Sequence, residues 1–279
     1  MPERDFTAAV EIECNGRIRL VHFVGAGPGA PDLITVRGAE LLERADIVIY
    51  AGSLVNPVLL GLCREGTEIY NSAEMTLPEV KAVCVRGHAE GREIVRLHTG
   101  DASIYGAIRE QMDELAAEGI PYDNVPGVSS FCGAAAALQA EYTLPGVSQT
   151  VIITRMAGKT PVPEREALES LAVHGATMVI FLSAGMMKEV AEALLKGAYT
   201  ESTPAAIVYK ATWPEQKIVH CTVGTLAAAG EASGISKTAL ILVGDFLGDG
   251  YERSRLYDPG FETGFRKGGN YGQVATESI

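Results

Sequence analysis

Two glycine-containing segments carry the residues that could do chemistry, and each lies at the end of an apolar run. Residues 25–32 (GAGPGAPD) follow the run at 20–24, and residues 97–106 (LHTGDASIYG) include the end of another run. A glycine turn directly after a buried strand places its backbone at the carboxyl edge of a sheet, where α/β proteins bind ligands. Within the second segment, Asp101 and Tyr105 could accept or donate a proton and are the candidate catalytic residues.

The first segment matches the dinucleotide fingerprint G-x-G-x-x-G/A but lacks the chemistry that the fingerprint needs. A pyrophosphate is held by free backbone N–H groups at a helix start, and Pro28 and Pro31 have none. Asp32 would place a negative charge beside the phosphates. The next predicted strand, 47–50, ends in Ala-Gly-Ser rather than in the acidic residue that binds a ribose. The hypothesis that the chain is a dinucleotide-dependent oxidoreductase therefore rests on the glycine pattern alone.

The elements that must position these segments alternate between apolar runs and amphipathic stretches. This pattern predicts a mostly parallel sheet with helices on both faces. Strands are expected at residues 20–24, 47–50, 68–70, 93–97 and 122–125, and helices at 33–45, 76–91, 108–117 and 130–140. Thr76 and Glu79 have the spacing of a capping box at the start of the second helix.

The pattern of apolar and amphipathic stretches in the second half of the chain predicts a different kind of sheet. Strands are expected at 151–154, 177–182, 205–209, 218–222 and 239–243, and helices at 164–174, 186–195 and 225–231. Strands 205–209 and 218–222 have no helix between them, which indicates a hairpin and a mixed sheet. The predicted organisation is an N-terminal α/β domain at 18–146 after a polar leader, a C-terminal α/β domain at 147–250, and a flexible tail at 251–279.

Composition excludes several classes of protein. The net charge of −12 disfavours a nucleic-acid partner, because such proteins usually carry a basic excess. The five cysteines form no C-x-x-C pair, which is typical of a reduced cytoplasmic protein without a zinc site. Neither a signal peptide nor an apolar run of membrane-spanning length is present. We therefore expect a cytoplasmic protein with no metal, membrane or nucleic-acid partner.

Taken together, the segments resemble the class III S-adenosylmethionine-dependent methyltransferases, the tetrapyrrole methylase family. The resemblance rests on residues 25–35 (GAGPGAPDLIT), 45–57 (ADIVIYAGSLVNP), 97–106 (LHTGDASIYG) and 126–138 (PGVSSFCGAAAAL). Within the family, residues 53–57 (SLVNP) and 71–80 (NSAEMTLPEV) are similar to the branch that methylates C11 of precorrin-4. That branch implies precorrin-4 or its cobalt form as substrate, precorrin-5 or its cobalt form as product, and a role in cobalamin biosynthesis.

The resemblance also implies two α/β domains in a homodimer, with S-adenosylmethionine between them and the tetrapyrrole in a trough of the N-terminal domain. S-adenosylhomocysteine would be the second product. The implied cofactor contacts are Pro28, Gly100, Asp101, Ile104, Tyr105, Ser129, Ser130, Phe131, Ala184, Ala211, Thr238 and Leu240. Basic residues must meet the substrate carboxylates, and the candidates are Arg37, Lys81, Arg86, Arg109 and Arg155.

Several alternatives remain open at this point. Relatives that methylate uroporphyrinogen often have an aspartate after the second strand, where this chain has Ala51 and Gly52, so their acid/base role cannot be carried over. The chemistry expected here is in-line methyl transfer to an electron-rich carbon, in which orientation and exclusion of water supply much of the catalysis. A methylase for another tetrapyrrole carbon or for a macromolecule, and a non-catalytic tetrapyrrole carrier, are the competing functions.

Overall fold

A five-stranded parallel sheet organises the first half of the chain. The computed structural model describes residues 19–269. The strands are β1 (Val21–Gly25), β2 (Ile47–Tyr50), β3 (Glu68–Asn71), β4 (Ile94–His98) and β5 (Tyr122–Val125), in the order β3-β2-β4-β1-β5. Strand β1 lies next to the central strand β4 and pairs in parallel with both β4 and β5, so that Val21 lies opposite Ile94 and Tyr122. Near-continuous apolar runs such as β1 suit a sheet that is covered on both faces.

Helices on both faces bury alternate residues of these strands. They are α1 (Val36–Arg44), α2 (Leu77–Ala89) and α3 (Ile108–Ala117), and a fourth helix, α4 (Ser130–Leu138), follows β5. One face packs Val24, Val48 and Val95 against α1, and the other packs residues such as Phe23 against α2 and α3. The predicted capping box at the start of α2 is present: the Glu79 carboxylate accepts hydrogen bonds from both N and Oγ1 of Thr76.

The second half folds around a mixed sheet with the predicted hairpin. Its strands are β6 (Val151–Arg155), β7 (Thr177–Phe181), β8 (Pro204–Tyr209), β9 (Lys217–Thr222) and β10 (Ala239–Val243), in the order β6-β7-β10-β8-β9. Only β6 and β7 pair in parallel, while β8 and β9 form an antiparallel hairpin. The helices of this half are α5 (Leu168–Ala172), α6 (Met187–Leu194) and α7 (Leu226–Ser233).

Helix α4 joins the two halves. It follows β5 of the first sheet, yet its Ala134 is fully buried among residues of β7, β8 and β10, including Val179, Val208 and Leu242. Helices α5, α6 and α7 pack on the other face of the second sheet. The α/β architecture with two sheets is therefore confirmed. Helix α4 covers the face of the second sheet opposite to α5, α6 and α7.

Two helices differ from the sequence expectation by more than two residues at one end. The helix expected at 33–45 begins only at Val36, because Pro31–Leu33 form a separate 3₁₀ turn and Thr35 caps the helix. The helix expected at 164–174 is divided into a 3₁₀ turn at Glu164–Glu166 and the short α5, with an extended Ala167 between them. The polar leader and the last ten residues of the predicted tail lie outside the described residues, and the domain boundaries stay a prediction.

A buried charge cluster lies at the amino edge of the first sheet. His22 Nδ1 is 2.7 Å from Asp123 Oδ1, and its Nε2 is 2.8 Å from Glu93 Oε1, which makes it a bridge between two carboxylates. Burial lowers the pKa of His22, but the hydrogen bonds to Asp123 and Glu93 outweigh it, and the pKa is raised. The hydrogen bond from His22 is the main cause that lowers the pKa of Glu93 to about 2.

Residues 19–269 contain neither a candidate membrane span nor a candidate metal-binding cluster. No helix in this range is both long and apolar enough to cross a membrane. Within the same range, no group of three or more His, Cys, Asp or Glu side chains is arranged to hold a metal ion.

Candidate active site

Three loops meet at the carboxyl edge of the first sheet, directly after β1, β4 and β5. Gly27 N donates to Gly100 O at 3.2 Å, and Gly100 N donates to Gly27 O at 2.9 Å. A Cβ on Gly127 would lie 2.1 Å from Gly100 O, and one on Gly25 would lie 2.6 Å from the same atom. Because these distances are shorter than any real Cβ contact, only glycine allows the three backbones to approach so closely.

Asp101 links two of these loops through hydrogen bonds. Its Oδ2 accepts a hydrogen bond from Gly127 N at 2.8 Å, and its Oδ1 accepts from both N and Oγ of Ser103. Burial raises the pKa of Asp101, but the hydrogen bonds from Ser103 and Gly127 outweigh it and the pKa is lowered. Asp101 is thus an ionised group whose two oxygens are both engaged in holding the loop.

A cavity of about 520 Å³ lies between the two sheets beside these loops. Its size is that of a small-molecule or cofactor site. The sequence-predicted contacts on its lining are Pro28, Gly100, Asp101, Ile104, Tyr105, Ser129 and Ser130 from the first half, and Ala184, Ala211, Thr238 and Leu240 from the second. The structure therefore brings together residues that are up to 212 positions apart in the sequence, from Pro28 to Leu240.

Phe131 is the exception among the predicted contacts. It does not belong to the cavity lining, because its ring packs against the Tyr142 ring at a centroid distance of 6.1 Å. The carbonyl of Phe131 also accepts a hydrogen bond from Tyr142 Oη at 2.6 Å. Phe131 anchors the start of α4 in the core beside the site, and its contact with the cofactor stays a prediction.

Several lining residues are not among the predicted contacts. Phe181, Leu182, Lys210, Trp213 and Lys237 line the cavity, all of them from the second half. The non-glycine residues on the lining with a left-handed backbone are Tyr105, Leu182, Lys210 and Thr238, with φ of 56°, 53°, 46° and 55°. Strained backbone is typical of functional sites, but a positive φ at Leu or Lys cannot be predicted from residue type.

The Tyr105 side chain forms part of the cavity wall. Its ring packs against the Phe181 ring at 5.4 Å between centroids, so that the pair spans the two halves. Burial raises the pKa of the Tyr105 hydroxyl above its usual value near 10. The hydroxyl is therefore protonated at neutral pH, which suits a hydrogen-bond donor better than a base.

None of the five cationic candidates for substrate binding belongs to the lining of this cavity, and all five make other contacts. Arg37 pairs with Asp123, Arg86 with Glu68, and Arg109 with Asp113. Lys81 bridges Glu114 and Glu118, and Arg155 donates to the carbonyls of residues 156, 160 and 161. Among the described residues, the cations on the lining are Lys210 and Lys237.

The first loop offers few donors to a phosphate. Ala26 N donates to His98 O and Ala30 N donates to Thr212 Oγ1, while the N–H of Gly27 is used in the loop bridge. These amides are not available to a pyrophosphate, which argues against the dinucleotide alternative. The cavity instead combines apolar side chains with the hydroxyls of Ser129, Ser130 and Thr238 and the Asp101 carboxylate. Such a lining fits S-adenosylmethionine, which has an adenine, a ribose and a cationic sulfur.

The fold and this cavity define a class of protein, and comparison with known families identifies it. Residues 20–227 match the family model described as Tetrapyrrole (Corrin/Porphyrin) Methylases. Because the match covers more than half of the chain, the chain belongs to the tetrapyrrole methylase family.

Individual relatives make the comparison more specific than the family model does. The chain is 52% identical over 250 residues to the cobalt-precorrin-4 C(11)-methyltransferase of Methanocaldococcus jannaschii, covering 89% of this chain and 96% of the relative. It is also similar to the crystal structure of a cobalt precorrin-4 methyltransferase of cobalamin biosynthesis, with a TM-score of 0.80 and 47% identity, covering 82% of this chain and 96% of the other. The uroporphyrin-III C-methyltransferase of Thermus thermophilus, solved in complex with S-adenosyl homocysteine, has a TM-score of 0.66 and 25% identity, covering 82% and 93% of the two chains.

Proposed function

We propose that this chain transfers a methyl group from S-adenosylmethionine to C11 of precorrin-4, or of its cobalt form, in cobalamin biosynthesis. The observation that carries the proposal is the cavity between the two sheets, which collects the residues predicted for cofactor binding at the carboxyl edge of β1, β4 and β5. The identity of 52% to a C(11)-methyltransferase across nearly the whole relative supports this choice over a methylase for another tetrapyrrole carbon or a macromolecule.

The residues of the chain support catalysis by positioning. When bound, S-adenosylmethionine supplies an activated methyl group on a cationic sulfur. Asp101 holds the loop after β4 in place, and both of its oxygens are engaged. Tyr105 and Phe181 come from different halves and pack against each other, which holds the cavity wall beside the reacting groups. With Asp101 engaged and Tyr105 protonated, the site favours orientation of an already nucleophilic carbon over base catalysis.

Substrate carboxylates require cations at the cavity, and Lys237 is our candidate. It belongs to the lining, whereas Lys217 at the start of β9 is an exposed lysine away from it. We expect Lys237→Glu to raise the KM for the tetrapyrrole about tenfold, because a favourable charge contact becomes repulsive. Lys217→Glu is the matched control and should leave KM unchanged. Steady-state kinetics at low salt measure both, and equal effects of the two substitutions would exclude the specific role.

The decisive experiment uses carbon-13 in the methyl group of the donor. The purified protein is incubated with this donor and either precorrin-4 or cobalt-precorrin-4, and the product is analysed by carbon NMR. The expected result is a single new labelled methyl carbon attached to C11 from one of the two substrates. Pigment binding without any labelled product would indicate a carrier, and label at another carbon would reassign the branch.

We further propose that the protein acts as a homodimer in the cytoplasm. The free thiols of Cys63, Cys84, Cys132 and Cys221 are consistent with a reducing compartment. Light scattering coupled to size-exclusion chromatography tests the stoichiometry, with twice the chain mass expected. A monomer at micromolar concentration would exclude a stable dimer.

A further inference from the structure

The chain has a single tryptophan, and it connects the two halves of the molecule. Trp213 lies in the loop between β8 and β9, and its Nε1 donates a hydrogen bond to Pro28 O at 3.0 Å. The neighbouring residue makes a second link, since Thr212 Oγ1 accepts a hydrogen bond from Ala30 N at 2.9 Å. Two hydrogen bonds therefore join this hairpin loop to the first loop, across 182 and 185 residues of sequence.

Packing reinforces these two hydrogen bonds. A Cβ on Gly29 would lie 2.0 Å from Trp213 Cδ1, so the first loop rests directly on the indole. On its other side, the buried Asn56 side chain donates to Gly29 O at 2.8 Å. Pro28 in turn packs against Gly133 of α4, where a Cβ would lie 2.8 Å from the proline ring. The first loop is thus held between the hairpin loop, Asn56 and α4.

The hairpin loop is itself preorganised. Thr212 N donates to Gln216 Oε1 at 2.7 Å, and Trp213 N donates to Lys210 O at 3.0 Å. The Lys210 ammonium lies 4.7 Å from the centre of the Trp213 ring, which is the geometry of a cation–π contact. Lys210 and Thr212 both have a left-handed backbone, with φ of 46° and 69°. Such strain persists only where the surroundings hold the loop in one shape.

We propose that Trp213 and Thr212 are positioning residues that fix the first loop, and with it Pro28, against the cavity. Both Pro28 and Trp213 line the cavity, so the hairpin loop sets the shape of the wall that bound ligands must contact. This inference rests on the proposed methyl transfer, in which small errors of alignment between donor and acceptor lower the rate strongly. The two residues act through the first loop and take no part in the chemistry.

Kinetics of single variants test the proposal. Trp213→Phe keeps an aromatic ring under Gly29 but removes the N–H donor, and Thr212→Val removes the hydroxyl acceptor. We expect each to lower kcat about tenfold while changing the KM for S-adenosylmethionine less than threefold. Thr212→Ser keeps the hydroxyl and should retain the wild-type kcat. Loss of kcat in Thr212→Ser equal to that in Thr212→Val would overturn the proposal.

A matched control separates positioning from general stability. Tyr199 Oη donates to Ala176 O inside the second half, and neither residue lines the cavity. Tyr199→Phe therefore removes one hydrogen bond at a remote place, and it should lower Tm without lowering kcat. If Tyr199→Phe reduced kcat as much as Trp213→Phe at a similar loss of Tm, the effect would be one of folding and the proposal would fail.

Two further measurements do not depend on turnover. Hydrogen exchange of residues 26–30 should be about tenfold faster in Thr212→Val than in the wild type or Thr212→Ser, because the Ala30 amide loses its acceptor. The tryptophan fluorescence of the wild-type protein should change on addition of S-adenosylhomocysteine, because the single tryptophan of the chain, Trp213, lines the cavity. The exchange measurement tests the attachment of the first loop even if the wild type transfers no methyl group. Unchanged exchange in Thr212→Val would overturn the positioning proposal.

Discussion

Asp101 and Tyr105 lie on the same loop, but their surroundings give them different roles. Both oxygens of Asp101 accept hydrogen bonds, from Gly127 and from Ser103, and its pKa is lowered. Tyr105 packs on Phe181, and its pKa is raised by burial. At neutral pH, therefore, the Asp101 carboxylate is ionised with both oxygens accepting hydrogen bonds, and the Tyr105 hydroxyl is protonated.

This difference gives a prediction for the two candidate catalytic residues. Tyr105→Phe keeps the ring contact and should lower kcat less than about threefold, whereas Tyr105→Ala should lower it more. Asp101→Asn leaves loop amides without a charged acceptor and should destabilise the protein by about 1–3 kcal/mol and weaken cofactor binding. Turnover, calorimetric binding and thermal unfolding measure these effects. Complete loss of turnover in both variants with intact cofactor binding would contradict positioning and indicate proton transfer.

At the scale of the elements, the glycine contacts between loops determine whether the carboxyl edge of the first sheet can form. Gly25 has an ordinary φ, so that a substitution there tests the close approach to Gly100 O and Gly127 alone. We expect Gly25→Ala to destabilise the protein by about 3 kcal/mol, because the obstructing atoms are backbone and cannot move aside. Gly61→Ala is the matched control: nothing lies within 4 Å of its Cβ position, and the change should stay within about 0.5 kcal/mol. Urea unfolding distinguishes the two.

The opposite edge of the first sheet predicts a dependence of stability on pH. The pKa of Glu93 is lowered to about 2 in the folded protein, so its stabilising contribution is present above the unfolded value near 4.5 and is lost as pH falls toward 2. The pKa of His22 is raised, so its contribution is complete below about 6.5 and is lost as pH rises through the folded pKa.

The free energy of unfolding should therefore decrease on both sides of a maximum between these limits. Urea unfolding at a series of pH values measures it. Glu93→Gln should flatten the acid side of the profile, and it should also reduce the loss on the alkaline side because His22 loses one carboxylate partner. A wild-type profile that does not change between pH 6 and pH 9 would contradict the role of His22.

How much of the fold the sequence predicts depends on how local the determinants are. The bounds of α3, β5 and β10 agree with the sequence expectation, and the α2 capping box is confirmed, because each depends on residues within a few positions. The loops after β1 and β4 each follow a predicted strand, which places both at the carboxyl edge of the sheet. The role of Trp213 was not predictable, since its partner Pro28 is 185 residues away in the sequence.

For the whole molecule, a ligand in the cavity contacts both halves and should stabilise them together. S-adenosylhomocysteine at about 100 times its Kd should add about 2.7 kcal/mol to the free energy of unfolding and raise Tm by several degrees. NAD at the same concentration should leave Tm unchanged, because Gly27 and Ala30 use their amides within the protein. Differential scanning calorimetry measures both. Stabilisation by NAD alone would favour the dinucleotide alternative.

The position of α4 has a consequence for synthesis on the ribosome. β1 meets its last partner strand only when residue 125 has emerged, about 100 residues after β1 itself. The first sheet is then complete, but the cover of the small apolar face of α4 is complete only when β10 is made, roughly another hundred residues later. A nascent chain of intermediate length therefore presents an apolar helix to the surrounding solution. We expect this interval to be the stage at which molecular chaperones bind the growing polypeptide and at which truncated products aggregate.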